Sequence, residues 1–403
     1  MKRTIVFRNK TFQIDIGFFV ILFILWFTSC FALYNAFNLI KDGSGPSYLV
    51  RQIFWYVIGF AAILFLTSIQ NQVIYRYVQR AYQILLGCLA YLLASRLLGS
   101  LIGIYLPFAP GINGACSWIR IPLLGSFQPS EFIKIVLIIM VSKIIQEHQD
   151  QYPQPTYRDD LKLLEKIARV LVLPLVMIFF QPDTGLCIII GFTILVLLIC
   201  SGIRRSYVFL LFGLIAIAVI GFFYLFFNHR DILATIFSNY RLQRIEAWLD
   251  PESYIQGSSN QLYTALLSLG SAGLTGYGLQ ANIVSIPEAH TDFIFAAIGQ
   301  CFGLLGTTAI VALCLLLDLY LCKIAYNTKN RRDRLIVIGV IAMLFYQQMQ
   351  NLGMIVGLFP ITGITLPLIS YGGSSILSYF IAFAIVINIS PSTKKAIRIR
   401  NRF

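Results

Sequence analysis

Residues 286–306 read IPEAHTDFIFAAIGQCFGLLG, and this stretch decides what kind of fold the chain adopts. Three ionisable side chains, Glu288, His290 and Asp292, stand directly before a long apolar run that begins at Phe293. Acid and imidazole groups are costly at a membrane boundary unless they face water, a partner or a bound molecule, so the juxtaposition points to a functional site at the mouth of a membrane helix. Thr291 is placed to cap that helix, with Asp292 in its first turn. A cap would account for one acid, but it needs neither Glu288 nor His290.

The run at Phe293 is one of many. Of 403 residues, 58% are hydrophobic and 12% charged, whereas an ordinary soluble domain carries about 25% charged residues. Apolar runs close to the ~20 residues that cross a bilayer fall at about 16–37, 53–69, 78–99, 131–146, 167–181, 186–202, 206–227, 293–322, 334–357 and 373–390. The expectation is an all-α polytopic membrane protein, a single integral domain over 1–403. It has about ten transmembrane helices and a large extracellular loop, 228–292, between helices seven and eight. The first run is too long for a cleaved signal peptide, and Asn35, Phe37 and Asn38 follow it in place of a small-residue cleavage site.

An even number of spans puts both termini on one side, and the distribution of cations chooses which. Most of the 31 Lys and Arg residues fall on or beside cytoplasmic segments when the N-terminus is inside. Both termini are therefore expected in the cytoplasm. The net charge of +14 is explained by this topology together with the basic tail 391–403, which holds Lys394, Lys395, Arg398, Arg400 and Arg402. Such a tail fits membrane lipid as its partner and not nucleic acid. The eight cysteines lie mostly in apolar spans with no CxxC pair, so neither a disulfide framework nor a thiolate metal site is expected.

Polar clusters between the spans are candidates for chemistry. The segment from Pro107 to Ser130 is rich in Gly and Pro and predicts an irregular loop, which at membrane depth is tolerated only against protein or a water-filled cavity. In QPSE, Ser130 is placed to cap helix four. Glu131 and Lys134, three residues apart on one face, form an internal ion pair, or Lys134 holds a phosphate oxygen; the two readings are compatible, since an arriving anion can release the paired Lys. Residues 146–166 mix charges of both signs with two prolines and look like a solvated linker. Asp183 in QPDTG is a turn residue by local chemistry.

Within the long loop, 240–248 is amphipathic at helical spacing and suits a helix in the headgroup plane. Arg241 and Arg244 would share a face there, either snorkelling to lipid headgroups or contacting a pyrophosphate. The Gly-rich segment 270–278 has neither a preceding strand nor a following Lys, so a nucleotide loop is rejected. The amides Gln347, Gln348, Gln350 and Asn351 should face the bundle interior, as interhelical bonds or cavity lining. A second irregular external loop, 359–375, suggests several loops converging on one cavity.

Four stretches taken in order resemble the shape, elongation, division and sporulation (SEDS) family, which includes RodA, FtsW and SpoVE. They are NGACSWI followed by QPSEFIK, then QPDTG, then PEAHTDFIFAAIG, and finally NLGMIVGLFPITGITLPLISYGGSS, together spanning 113–375. The resemblance implies a peptidoglycan glycosyltransferase that polymerises lipid II at the outer face of the cytoplasmic membrane with a class B penicillin-binding protein. It carries the catalytic role to Asp292 and a place in the cavity to Glu131, Lys134 and Asp183. Glu288, His290, Arg241, Arg244 and Ser370 complete the expected substrate-binding set. Ser117 before Trp118 is closer to elongation-type members, since division-type ones usually carry a basic residue there. Gln300 and Cys301 stand where many relatives have two acids.

Polymerisation of lipid II inverts an α-linked pyrophosphate into a β-glycosidic bond. It needs a carboxylate to take the hydroxyl proton and cations to receive the pyrophosphate, helped by a divalent cation (Mg or Mn) if one accompanies it. Asp292 is the expected base, and Lys134, Arg241 and Arg244 are the expected cations, in that order. His290 would orient the base, contact the sugar, or make an ordinary loop hydrogen bond. Two other classes stay open: a lipid II flippase, which would need a path to the cytoplasmic face, and a scaffold that only activates its penicillin-binding partner.

Overall fold

A computed structural model describes residues 2–7, 10–40, 43–111, 116–121, 125–237, 239–255, 257 and 259–390. The basic tail 391–403 and the first residues of the NGACSWI motif, Asn113 to Ala115, lie outside these. A hairpin of β1 (Lys2–Phe7) and β2 (Lys10–Asp15) leads into α1 (Ile16–Asn35), α2 (Gly45–Thr67) and α3 (Asn71–Ile102). A small hairpin follows, β3 (Ile119–Ile121) with β4 (Gly125–Phe127), where an irregular loop is expected from sequence. Next come α4 (Pro129–Gln151), α5 (Tyr157–Phe180), α6 (Thr184–Cys200) and α7 (Arg205–Asn228).

The long loop holds three short helices, α8 (Arg230–Ile236), α9 (Asn239–Leu249) and α10 (Asn260–Ser271). Then α11 (Ile294–Asn327), α12 (Arg331–Ile355) and α13 (Gly373–Ile389) close the chain. Ten helices of 17 residues or more thus stand among the described residues, in the places of the ten apolar runs. Six are long and apolar enough to cross a membrane by length and composition alone. Among the remaining four, α6 and α13 are shorter, while α4 and α5 carry charges.

Three expectations are corrected. The solvated linker at 146–166 shrinks to residues 152–156, because α4 runs on to Gln151 and α5 starts at Tyr157. A capping box explains the early start: the Thr156 hydroxyl and the Asp159 carboxylate satisfy each other's backbone amides. Ser130 does not cap α4, since Gln128 holds that position and Pro129 occupies the first turn, leaving the Ser130 hydroxyl buried and unpaired. Thr291 does not cap α11 either. Its hydroxyl donates to the Glu288 carboxylate at 3.1 Å, Phe293 is the capping residue, and the helix starts at Ile294 with no acid in its first turn.

The core is built around α4 and α12. α4 packs on α3, α5, α6, α12 and α13, and fifteen of its residues are buried. α7 packs chiefly on α8, and among its described residues only Phe226 is buried. Phe226 joins Leu233 and Leu242 in a small second core shared by α7, α8 and α9.

α11 is broken at Gly303, whose φ of 58° and ψ of −149° end one helical segment and begin another. The Gly-rich segment 270–278 closes the break. Tyr277 and Gly278 donate to the carbonyls of Gln300 and Cys301, both at 2.9 Å, and Leu304 and Leu305 donate to Gly273 and Leu274 at 3.0 and 3.1 Å. Freed backbone groups in a membrane helix must be paired this way. A Cβ on Gly276 would stand 2.4 Å from the Cys301 carbonyl, so the approach requires glycine. Gln300 reinforces the seam by accepting from the amides of Ile283 and Val284 at 2.8 and 2.7 Å.

Candidate functional site

Asp292 sits one residue short of Phe293, on a backbone held at three successive carbonyls. The amide of Tyr371 donates to His290 O at 2.9 Å, the Ser370 hydroxyl to Thr291 O at 2.7 Å, and the Asn351 side-chain amide to Asp292 O at 2.8 Å. Asn351 also donates to Ile364 O at 2.7 Å, tying the start of α11 to the loop between α12 and α13. The interior amides of α12 therefore do different jobs. Asn351 braces the site, Gln350 donates to Pro360 O at 3.2 Å, and Gln347 accepts from Tyr379 at 3.2 Å while lining the cavity.

That cavity has a volume of about 1530 Å³. Asp292, Glu288, Glu131, Asp183, Arg241 and Arg244 all line it, so motifs far apart in sequence share one wall space. Hydrogen bonds knit those motifs together. Gln128 reaches Asp183 Oδ2 at 2.9 Å, its amide donates to Ser374 Oγ at 3.1 Å, and Ser117 donates to Gln181 O at 3.0 Å. Asp183 is thus more than a turn residue: it caps α6 by accepting from Leu186 N at 3.3 Å, and it faces the cavity as well.

Lys134 Nζ lies 2.6 Å from Glu131 Oε2, both side chains buried, with the ammonium 4.7 Å from the centre of the Tyr379 ring. The Ser378 hydroxyl approaches the same carboxylate at 3.4 Å. The ion pair expected from the i, i+3 spacing is therefore present. Glu131 reaches the cavity and Lys134 stands behind it.

His290 and Ser370 are placed differently from the rest of the expected set. The His290 ring stacks on Tyr48 with centroids 4.2 Å apart, and it is not among the cavity-lining residues. Ser370 is buried and spends its hydroxyl on Thr291 O and Leu366 N. Both hold the loop that presents Asp292 and make no cavity wall. Helix α9 is docked onto protein: Trp248 donates to Gly357 O at 2.9 Å, and Arg230 pairs with Glu246 at 2.7 Å.

Burial sets the electrostatics. It pushes the Asp292 carboxyl up to about 6, against the pull of the Arg244 charge, with the Glu288 charge pushing upward too. Burial likewise raises Asp183 to about 6 with help from Glu131, while the Leu186 amide, Gln128 and Lys134 pull downward. A carboxyl tuned near neutrality is suited to take up and release a proton at working pH. Among the described residues, no group of three or more His, Cys, Asp or Glu side chains is arranged for a metal ion.

Three cavity cations escaped the reading from sequence: Arg51, Arg96 and Arg120. Arg96 carried a signal, since it interrupts the apolar run 78–99, and a charge inside a span faces protein or water. Arg51 and Arg120 sit at the edges of spans or in loops, where a basic residue ordinarily means only a membrane boundary.

The family model described as a cell cycle protein, FTSW_RODA_SPOVE, matches residues 14–395. The chain belongs to this family, the SEDS proteins, as its four motifs suggest. A probable peptidoglycan glycosyltransferase FtsW from Geobacter sulfurreducens is 30% identical over 393 residues, covering 94% of this chain and 96% of the relative. One of the same description from Trichlorobacter lovleyi is 32% identical over 308 residues, covering 74% and 75%. Among solved structures, the rod shape determining protein RodA of Thermus thermophilus superposes with a TM-score of 0.63 at 23% identity, covering 93% of this chain and 96% of that one. A chain from a structure described as a peptidoglycan synthase complex that coordinates polymerization and crosslinking reaches 0.68 at 24% identity, covering 93% and 97%. These likenesses establish the fold, that of a multi-pass membrane protein.

Proposed function

We propose that the chain polymerises lipid II into glycan strands, with Asp292 as general base, at the outer face of the cytoplasmic membrane. As a member of this family it is a peptidoglycan glycosyltransferase. The observation that carries the finer reading is the shared cavity that Asp292, poised near pH 6, lines together with Glu131, Asp183 and five arginines. The 4-hydroxyl of one lipid-linked sugar loses its proton to Asp292 as its oxygen bonds to the anomeric carbon of another. The pyrophosphate leaves from the opposite side of the ring, so the linkage inverts. Three backbone braces hold the base in place before substrate arrives, which is how a preorganised site acts.

Lys134 is paired to Glu131 behind the wall and holds it in place; it would reach a phosphate only after releasing that partner. Glu288 and the cavity arginines are the groups on the substrate path. A divalent cation, Mg or Mn, would ride on the pyrophosphate with one or two carboxylates such as Asp183 as protein ligands, in the manner usual for Mg²⁺. No step above is routed through it. Cationic segments at the end opposite Asp292 support cytoplasmic termini. A class B penicillin-binding protein is the proposed partner, supported by the peptidoglycan synthase complex one chain of which shares this fold.

The role in cell elongation rests on Ser117 before Trp118 and on the shared fold with RodA. The relatives named FtsW support a role in division instead. Depletion separates the two, with rounded cells expected for elongation and filaments for division.

The direct test is polymerisation of fluorescent lipid II by the purified protein with its partner, wild type against Asp292→Ala, at matched folding and partner binding. Loss of glycan with substrate binding retained is the expected result. Full polymerisation by the variant would remove Asp292 from the role of base. An inactive wild type under varied partners and ions would favour the flippase or the scaffold.

A further inference from the structure

We infer that Arg96 and Arg241 together seat the departing pyrophosphate, on a wall of the cavity separate from the one that holds Asp292 and Arg244. The inference rests on the polymerase reading above. Arg241 and Arg244 are three residues apart on α9 yet reach in different directions. Arg241 Nη2 donates to Phe179 O at 3.3 Å, with its guanidinium 5.2 Å from the centre of the Phe179 ring at the end of α5. Arg244 Nη1 donates to Ile361 O at 3.2 Å in the loop between α12 and α13. A Cβ built on Gly363 in that loop would lie 3.5 Å from Asp292 Oδ2 and 3.7 Å from Arg244 Nη1, which places these two groups beside each other.

The charges sort the same way. Arg244 and Glu288 act on Asp292, whereas Arg96 and Asp183 act on Arg241. Arg96 comes from α3 and lines the cavity, and neither it nor Arg241 makes an ion pair among the described residues. Burial, and then the Arg96 charge, lowers the proton affinity of Arg241. The Arg96 charge repels that of Arg241, Asp183 offsets this only in part, and an anion with several oxygens relieves the rest through paired N–H donors.

The stereochemistry decides which anion. In an inverting displacement the base and the leaving group flank opposite faces of the sugar ring. The acceptor's O–H proton passes to the Asp292 carboxylate, and the acceptor oxygen forms a bond to the donor's anomeric carbon. The bond from that carbon to the pyrophosphate oxygen breaks, and its electron pair leaves on polyprenyl pyrophosphate. Arg244 stands on the side of the base, so it positions Asp292 and is badly placed for the departing charge. Arg241 is instead docked on Phe179 O at the end of α5, within reach of the Arg96 and Asp183 charges, and the departing charge is assigned there.

The test uses the full-length enzyme with its penicillin-binding partner, fluorescent lipid II as substrate and farnesyl pyrophosphate as a competing probe. Arg96→Gln and Arg241→Gln are each expected to lower kcat at saturating lipid II by about 10²-fold, as for removal of one preorganised donor. Each should also weaken inhibition by farnesyl pyrophosphate by about tenfold or more, as expected for a lost charge-assisted contact. Losses in the double variant should fall short of the product of the single losses, because the two groups share one ligand. Arg96→Lys keeps the charge and the stem but not the two-pronged donor, and should recover part of kcat while guarding against a folding defect.

Unchanged probe inhibition in both Gln variants would overturn the inference, as would a wild type that does not bind the probe. So would Arg244→Gln alone abolishing inhibition. A raised KM with kcat unchanged would put the acceptor's pyrophosphate in this seat instead of the donor's, and also counts against it. If Asp292→Ala still polymerises, the general-base reading fails, while probe binding still judges the two arginines on their own.

Discussion

Helices α4 and α7 are almost equal in length and opposite in surroundings. α4 has 23 residues with fifteen buried, and it carries Glu131, Lys134 and His148. α7 has 24 residues, the most apolar window of the six clear spans, and one buried side chain, Phe226. In water the more apolar helix would be the more deeply buried. In hydrocarbon an apolar helix gains nothing by leaving lipid, and the helix with charges must be enclosed by protein that pairs them. Polarity, not hydropathy, marks the centre of this molecule. The cavity lies where the polar side of the core meets the lightly packed α7–α9 side, and Glu131 from the first and Arg241 and Arg244 from the second all line it.

The largest difference between the two helices is expected at Lys134. Lys134→Ala strands the buried Glu131 carboxylate and should cost about 3–5 kcal/mol in unfolding experiments, most of it recovered when Glu131→Gln is added. Leu137→Ala should follow, at about 2–5 kcal/mol, because Leu137 is 0% exposed in the middle of α4. The matching change in α7, Leu214→Ala, should stay within about 0.5 kcal/mol, since Leu214 is 54% exposed. Equal costs at Leu137 and Leu214 would mean that α7 is packed as firmly as α4.

The pH profile probes the line where the two sides meet. Asp292 must be ionised to accept a proton, so kcat/KM should fall as pH drops below about 6, by about tenfold per unit. Arg244→Gln removes the charge that opposes burial and should move the midpoint upward. Asp183 also sits near 6, so Asp183→Asn should leave a single limb that belongs to Asp292. A profile flat from pH 5 to pH 8 would exclude Asp292 as the base. A modest effect is expected at the α9 anchor: Trp248→Phe loses the bond to Gly357 O and should cost about 1 kcal/mol, with substrate affinity changed more than folding.

Much of this molecule was legible in the chain itself. Ten apolar runs became ten long helices, since membrane spans obey length and hydropathy almost one residue at a time. The i, i+3 pair at Glu131 and Lys134 followed from helical geometry, and the place of Asp292 at a helix mouth followed from a single stretch. Local capping was less legible. Ser130 and Thr291 are good caps in isolation, but Pro129 and the Glu288 carboxylate claimed the geometry first.

What the tertiary structure alone decided is the company each residue keeps. Ser370 and His290 lie in motif positions that look alike to Glu288 and Asp292, yet hydrogen bonding and ring stacking turn them into braces. Asp183 reads as a turn until Gln128, from another loop, reaches it and the cavity opens beside it. Arg96 and Arg241 come from separate helices, and no periodicity connects them. Hydropathy and helical spacing act over a few residues and are written along the chain. A cavity is made by loops that meet only after the helices have packed, so its membership belongs to the fold.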